Sequence, residues 1–213
     1  ANPTQIAANG ISQSTISALL RDDNFNPIIS EAIRFTTTLG TITAIDSTDE
    51  SGRALATLES ERRNGQAVVT AIFKEHVTTI PVNFTGVKMS VSAAPENLFA
   101  GGNENTEITA YLKDAAEVPI VGEDVTFEWY MDGVKQDDIT AVSDVQGRTS
   151  ITLSSNVSGL AKIRVSGAGA SDSTDVTFTR IQFAIAADSY EVATGGDTLP
   201  IYVQLYDTVN SKY

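Results

Sequence analysis

The sequence has no cysteine, one histidine and one tryptophan in 213 residues, and 14 lysines and arginines against 27 acidic residues. Without cysteine there is no disulfide, no thiolate metal site and no cysteine nucleophile, and redox arguments leave the compartment open. The single imidazole, His76, would have to serve any Ser-His-Asp system, and no nucleophile elbow accompanies it; it reads as a residue on a strand face. The shortage of cations gives a net charge of -13 and a pI near 4.3. That excludes the basic footprint with which proteins displace counterions from nucleic acid, and disfavours adsorption onto anionic lipid. No apolar run reaches the roughly 18 residues of a membrane-crossing helix, and no charged leader precedes Ala1, so this stretch is expected neither to insert into a membrane nor to direct its own export. Phosphate-cradling glycine loops are missing too. Any two acidic residues can be paired on paper as a glycosidase dyad, but nothing in the spacing selects a pair.

What the chain does have is a repeat. Ile16, Ala18 and Leu20 alternate with Thr15, Ser17 and Leu19, and the pattern returns as Ile108, Ala110, Leu112 and again as Ile201, Val203, Leu205. Each reads as a half-buried strand of period two. Asp22 answers Asp114 and Asp207, and Pro27 answers Pro119. Ile33 with Phe35 answers Val125 with Phe127, and Gly52-Arg53 answers Gly147-Arg148. Further on, Gly65 with Ala67 and Val69 answers Gly159 with Ala161 and Ile163, and Val82 with Phe84 answers Val176 with Phe178. The second copy is longer around Met131 to Asp138, where Asp132-Gly133 is a hairpin-turn signal.

One copy thus holds about seven short alternating strands separated by Gly, Pro, Asn and Asp, the pattern of an antiparallel β-sandwich. Almost no helix is expected; the one window with helical spacing, Ser30 to Phe35, lies in register with the strand-like Val121 to Phe127. The expected division is a first module at 1–85 lacking its opening strand, a complete module at 86–179 opened by Val87, Met89 and Val91, and the start of a third at 180–213. Only Thr85-Gly86 and Thr179-Arg180 join the modules, so an elongated rod with little hinge motion follows.

The residues Ala8-Asn9-Gly10, Asp22, Asn26-Pro27, Ile33-Arg34-Phe35, Gly40, Ser51-Gly52-Arg53-Ala54 and Gly65 resemble the group 1 bacterial immunoglobulin-like domain found in tandem in the invasin and intimin adhesins. The second copy keeps the frame with Gly101-Gly102, Asp114, Pro119, Val125-Thr126-Phe127, Gly147-Arg148 and Gly159. Glu128-Trp129-Tyr130 is similar to the tryptophan-bearing strand of immunoglobulin sandwiches in general. The resemblance implies tandem immunoglobulin-like sandwiches in a stalk on a bacterial cell surface, with an outer-membrane-anchored parent and a host or surface receptor as partner. It carries over no catalytic or ligand residue, because each motif residue marks a turn or a strand.

Trp129 shares alternation with Val125 and Phe127 and is expected to plug the core, which turns Thr126, Glu128 and Tyr130 outward. The acidic residues Asp22, Asp23, Asp46, Asp49 and Glu50 of the first copy, and Asp114, Glu117 and Asp144 of the second, fall in loops at the same end of each module. They are the candidate calcium ligands if oxygen atoms converge at a junction; the competing reading is that they cap turns. No other cofactor is expected. For a partner, the aromatics Phe99, Tyr111 and Tyr130 have no aromatic equivalents in the first copy, and Tyr202 and Tyr206 add to them in the third. The functions to weigh are a non-catalytic stalk or adhesion segment, a carbohydrate- or protein-binding module, and an accessory domain of an extracellular enzyme. A binder should carry on one copy a groove or aromatic group that the other lacks. Unpaired strands at the two ends also raise strand exchange between chains.

Overall fold

The computed structural model describes residues 1–187 and 201–207, the stretches 181–187 and 201–207 as backbone alone, and the described residues form strands without helix. In the first module the strands are β1 (Gln5–Ala7), β2 (Gln13–Leu19), β3 (Ala32–Thr37), β4 (Thr41–Ile42), β5 (Ile45–Ser47), β6 (Arg53–Glu59), β7 (Gly65–Phe73) and β8 (His76–Thr85). They make two facing sheets, β1-β8-β7-β3-β5 and β2-β6-β4. Alternation does the work: Ile16, Ala56 and Leu58 from one sheet and Phe35, Val69, Val82 and Phe84 from the other are buried, and the residues between them are not. The Ser30 to Phe35 window is strand from Ala32 on, because Ile33 and Phe35 are the positions that reach the core.

The second module repeats the plan with β9 (Lys88–Ala94), β10 (Asn97–Phe99), β11 (Thr106–Lys113), β12 (Asp124–Met131), β13 (Val134–Lys135), β14 (Ile139–Val142), β15 (Arg148–Leu153), β16 (Gly159–Gly167) and β17 (Ala170–Thr179). Its sheets are β10-β17-β16-β12-β13, with β14 also on β12, and β15-β11-β9. Phe127, Phe178, Ile108, Leu112, Ile163, Val125 and Val165 fill the space between them. Trp129 packs partly buried against this core, as alternation requires. Asp132 and Gly133 both take positive φ, 47° and 85°, closing the two-residue turn between β12 and β13 in the conformation that matches strand twist. Beyond the second module, β18 (Ile181–Ala187) and β19 (Ile201–Asp207) pair antiparallel. Residues 188–200 and 208–213 of the expected third copy, and the side chains of Tyr202 and Tyr206, lie outside the described residues.

The two modules differ along one edge. In the second, β9 runs antiparallel to β11 from Lys88 to Ala94, and its inward Met89, Val91 and Ala93 close the sandwich. In the first, the same edge of β2 is met only by an isolated bridge from Asn2 to Thr15. Beside it lies a trough of about 270 Å³ whose lining includes Ala18, Leu20, Ala71 and Phe73, and Leu19 and Val77 stand 52% and 62% exposed at its rim.

Candidate functional site

Where the modules meet, the five-residue connection between β6 and β7 carries Arg62, Arg63 and Asn64, and all three reach the second module. Asn64 does the most. Its Oδ1 accepts the Val87 N–H at 2.9 Å, and its Nδ2 donates to the Val87 carbonyl at 2.9 Å, so one side chain stands in for a β-bridge to the linker. Its backbone N–H donates to the Ala168 carbonyl in the β16–β17 turn at 2.9 Å. The next residue in that turn, Gly169, has φ 70°, and a Cβ there would overlap the Asn64 carbonyl oxygen. Glycine is needed at that point on both counts.

Two ion pairs flank this clamp. Arg63 Nη2 lies 2.6 Å from Glu123 Oε1, which also accepts the Ala168 N–H at 2.9 Å. Arg62 Nε lies 3.2 Å from Asp114 Oδ2. Asp114 is 1% exposed; its Oδ1 accepts the N–H groups of Ala116 and Val118, whereas Oδ2 has no aligned hydrogen bond and depends on the charge of Arg62. A further backbone bond runs from Ala115 N–H to the Ala8 carbonyl, and Ala8, Val87 and Ala168 are buried at the joint. The two backbone bonds add about 1 kcal/mol each and the ion pairs, whose arginines are half exposed, up to about 1 each. A sum of about 2–4 kcal/mol favours the closed joint by tens to hundreds to one.

Residues 1–87 match the family described as invasin, domain 3, and residues 88–179 match the bacterial Ig-like domain (group 1). The chain belongs to the bacterial immunoglobulin-like domains of the invasin and intimin family. Among relatives of these domains, the inverse autotransporter adhesin YeeJ of Escherichia coli (strain K12) is 24% identical over 194 residues, 83% of this chain and 8% of that protein. The chain therefore spans a small part of the curated relative it matches. The solved structure of the Yersinia pseudotuberculosis adhesin InvE aligns with a TM-score of 0.58 at 22% identity, over 83% of this chain and 57% of that one, and shares the fold. Yersinia pseudotuberculosis InvD aligns with a TM-score of 0.42 at 22% identity, over 100% and 70%.

In these immunoglobulin-like domains the acidic residues are spread over separate turns. Asp22 Oδ1 takes the N–H groups of Asn24 and Asn26, Asp49 Oδ1 those of Ser51 and Arg53, and Asp144 Oδ1 those of Gln146 and Arg148. Asp46 accepts the Leu55 N–H, Glu117 pairs with Lys88 and Lys113, and Asp23 and Glu50 are exposed. Among the described residues no three carboxylates come together as a metal-binding group. The aromatics divide: Tyr130 and Phe99 lie on the outer face of the β10-β17-β16-β12-β13 sheet, and Tyr111 on the opposite sheet beside Arg148. The junction residues Arg62, Arg63, Asn64, Glu123 and Gly169 were not evident as a site in the sequence. The available signal was a pair of arginines, in an acidic chain, just before Gly65, where the second copy has Asn156-Val157 before Gly159.

Three of the turn carboxylates are held more acidic than usual: Asp22 by the Asn26 amide and backbone, Asp49 by the Ser51 hydroxyl and the Arg53 N–H, and Glu117 by the Lys88 ammonium. A folded carboxyl more acidic than the unfolded one adds stability that is complete above the ordinary carboxylate range and is lost as pH falls through it. Melting temperature should therefore stay level above about pH 5 and decline below it, and Glu117→Gln should flatten part of that decline. Thermal melts between pH 6 and 3 check this.

Proposed function

We propose that this chain is a non-catalytic stalk segment of a bacterial cell-surface adhesin, in which the first two modules are held at one fixed angle. The clamp of Asn64 on Val87 and the β16–β17 turn carries the reading. A flexible linker needs no such bonds, and a spacer that must project whatever it carries away from a surface does need them. The adhesin relatives support a surface location for the parent, anchored in the outer membrane, with a host or surface receptor engaged elsewhere along it.

The test is whether both modules tumble as one body. In residual dipolar couplings the wild-type modules should fit one alignment tensor, and the triple variant Arg62→Ser, Arg63→Ser, Asn64→Ser should need two while both modules stay folded. Two tensors in the wild type would remove the proposal.

A further inference from the structure

The outer face of the β10-β17-β16-β12-β13 sheet in the second module carries an open trough of about 610 Å³. Its chemistry is set by strand register. Tyr130, Lys162 and Asp175 lie abreast on β12, β16 and β17, and Glu128, Arg164 and Ser173 form the next row. Ser171, Ile163 and Asp172 complete the lining, and the Asp172 carboxylate is taken up by the Val91 and Ser173 N–H groups. Because side chains alternate across a strand, the two rows and Ser171 share one face while Ile163, Val165 and Val176 between them are buried.

The cations here are not used by the fold. Lys88, Lys113, Lys135 and Arg148 of the same module are each paired with a carboxylate. Lys162 and Arg164 have no ion pair or side-chain hydrogen bond among the described residues, and both are exposed. Register also shows what the first module has instead. Thr38 stands at the position of Tyr130, Val68 at Lys162, Thr70 at Arg164, Thr79 at Ser173 and Pro81 at Asp175. The scaffold is therefore satisfied with small uncharged residues on this face, and an aromatic, two free cations, two hydroxyls and two carboxylates, Asp175 and the Lys135-paired Glu128, are additions peculiar to one copy.

We infer that this face is a binding site for a carboxylated oligosaccharide. The Arg164 guanidinium offers a planar fork and Lys162 a point charge, suited to two uronate or sialate carboxylates along a chain. Ser171 and Ser173 offer hydroxyl partners, and Asp175 accepts from sugar hydroxyls. The Tyr130 ring gives an apolar platform for a pyranose face and its phenol a polar edge. The flat, open form of the trough fits an extended chain lying across strands better than a small enclosed ligand. The net charge of -13 does not forbid an anionic ligand, because at physiological salt charges beyond about 8 Å are screened and the two cations act at contact. This inference stands apart from the stalk reading, since it concerns a face away from the clamp.

The test is a titration of the whole chain, followed by amide chemical shifts, with trigalacturonic acid, with the neutral galactotriose and with a hexaglutamate peptide. Trigalacturonic acid should shift β12, β16 and β17 resonances, galactotriose should bind about tenfold more weakly or not at all, and raising salt should weaken the acidic sugar. The double variant Lys162→Gln, Arg164→Gln and the single variant Tyr130→Ser should each lose about tenfold or more in affinity with unchanged melting temperature, since all three side chains project from the sheet. Shifts with hexaglutamate and none with the acidic sugar would replace the sugar by an acidic peptide and overturn the inference. Binding that survives the double variant, or no shift with any probe, would overturn it as well.

Discussion

Asp114→Ala should lower the stability of the second module by about 2–4 kcal/mol, with a fall in melting temperature on the order of 10–20 °C. The carboxylate is 1% exposed, and its removal strands the Ala116 and Val118 N–H groups in the loop that bridges β11 to β12. Hydrogen bonds to a charged acceptor are worth more than neutral ones, and a donor left without a partner carries its full desolvation penalty. Arg62→Ala should behave differently. It leaves Oδ2 without a countercharge, yet water reaches that oxygen if the modules part, so the second module keeps its stability and the joint loosens instead. Trp129, the only tryptophan, packs against the second core, so its fluorescence reports the unfolding of that module by itself. A shared melting shift for both variants would contradict the division of labour between Oδ1 and Oδ2.

In a polypeptide of residues 1–213, a strand added beside β2 should raise the stability of the first module by a similar amount. In the second module β9 covers the corresponding edge with Met89, Val91 and Ala93 facing inward, and the trough beside β2 exposes Leu19 and Val77 where such a strand would lie. Burying the two inward side chains of that strand, with Ala1 already at the position of Ala93, and completing the ladder contributes about 2 kcal/mol after the ordering of the added residues is subtracted. Joining a copy of residues 88–92 to the amino side of Ala1 should raise the melting temperature of the first module by roughly 10 °C, and a scrambled extension should not. If the edge is instead filled by a strand from another copy, light scattering will show a mass that grows with concentration and falls back once the extension is present.

The repeat made most of the architecture readable. A strand that buries every second residue leaves a period-two record, and two copies of that record in register distinguish Phe35 and Phe127 as core from Thr38 and Tyr130 as surface. The same comparison overrules the helical spacing of Ser30 to Phe35. The junction was less legible because its partners are far apart in sequence: Arg63 meets Glu123, and Asn64 meets Ala168. Nothing local distinguishes an arginine that reaches a neighbouring module from one that reaches solvent. The outer face of the second module was half legible. Tyr130 and Phe99 were visible as aromatics peculiar to one copy, but Lys162 and Arg164 became part of the same surface only when β16 was placed between β12 and β17.

Asp22 and Asp114 begin the same turn, but they end it differently. Asp22 gives its second oxygen to the Asn26 side chain at 3.0 Å and is complete within its own loop, whereas Asp114, with Val118 in the place of Asn26, waits for an arginine from outside. The β15–β16 connection of the second module offers Asn156 and Val157 where the first offers Arg62 and Arg63, so those two positions carry no cation. The repeats therefore cannot be shuffled like identical bricks. Exchanging the two modules, or deleting one by recombination between their genes, would bring together ends that do not fit, and the order of the array is written into the chemistry of its seams.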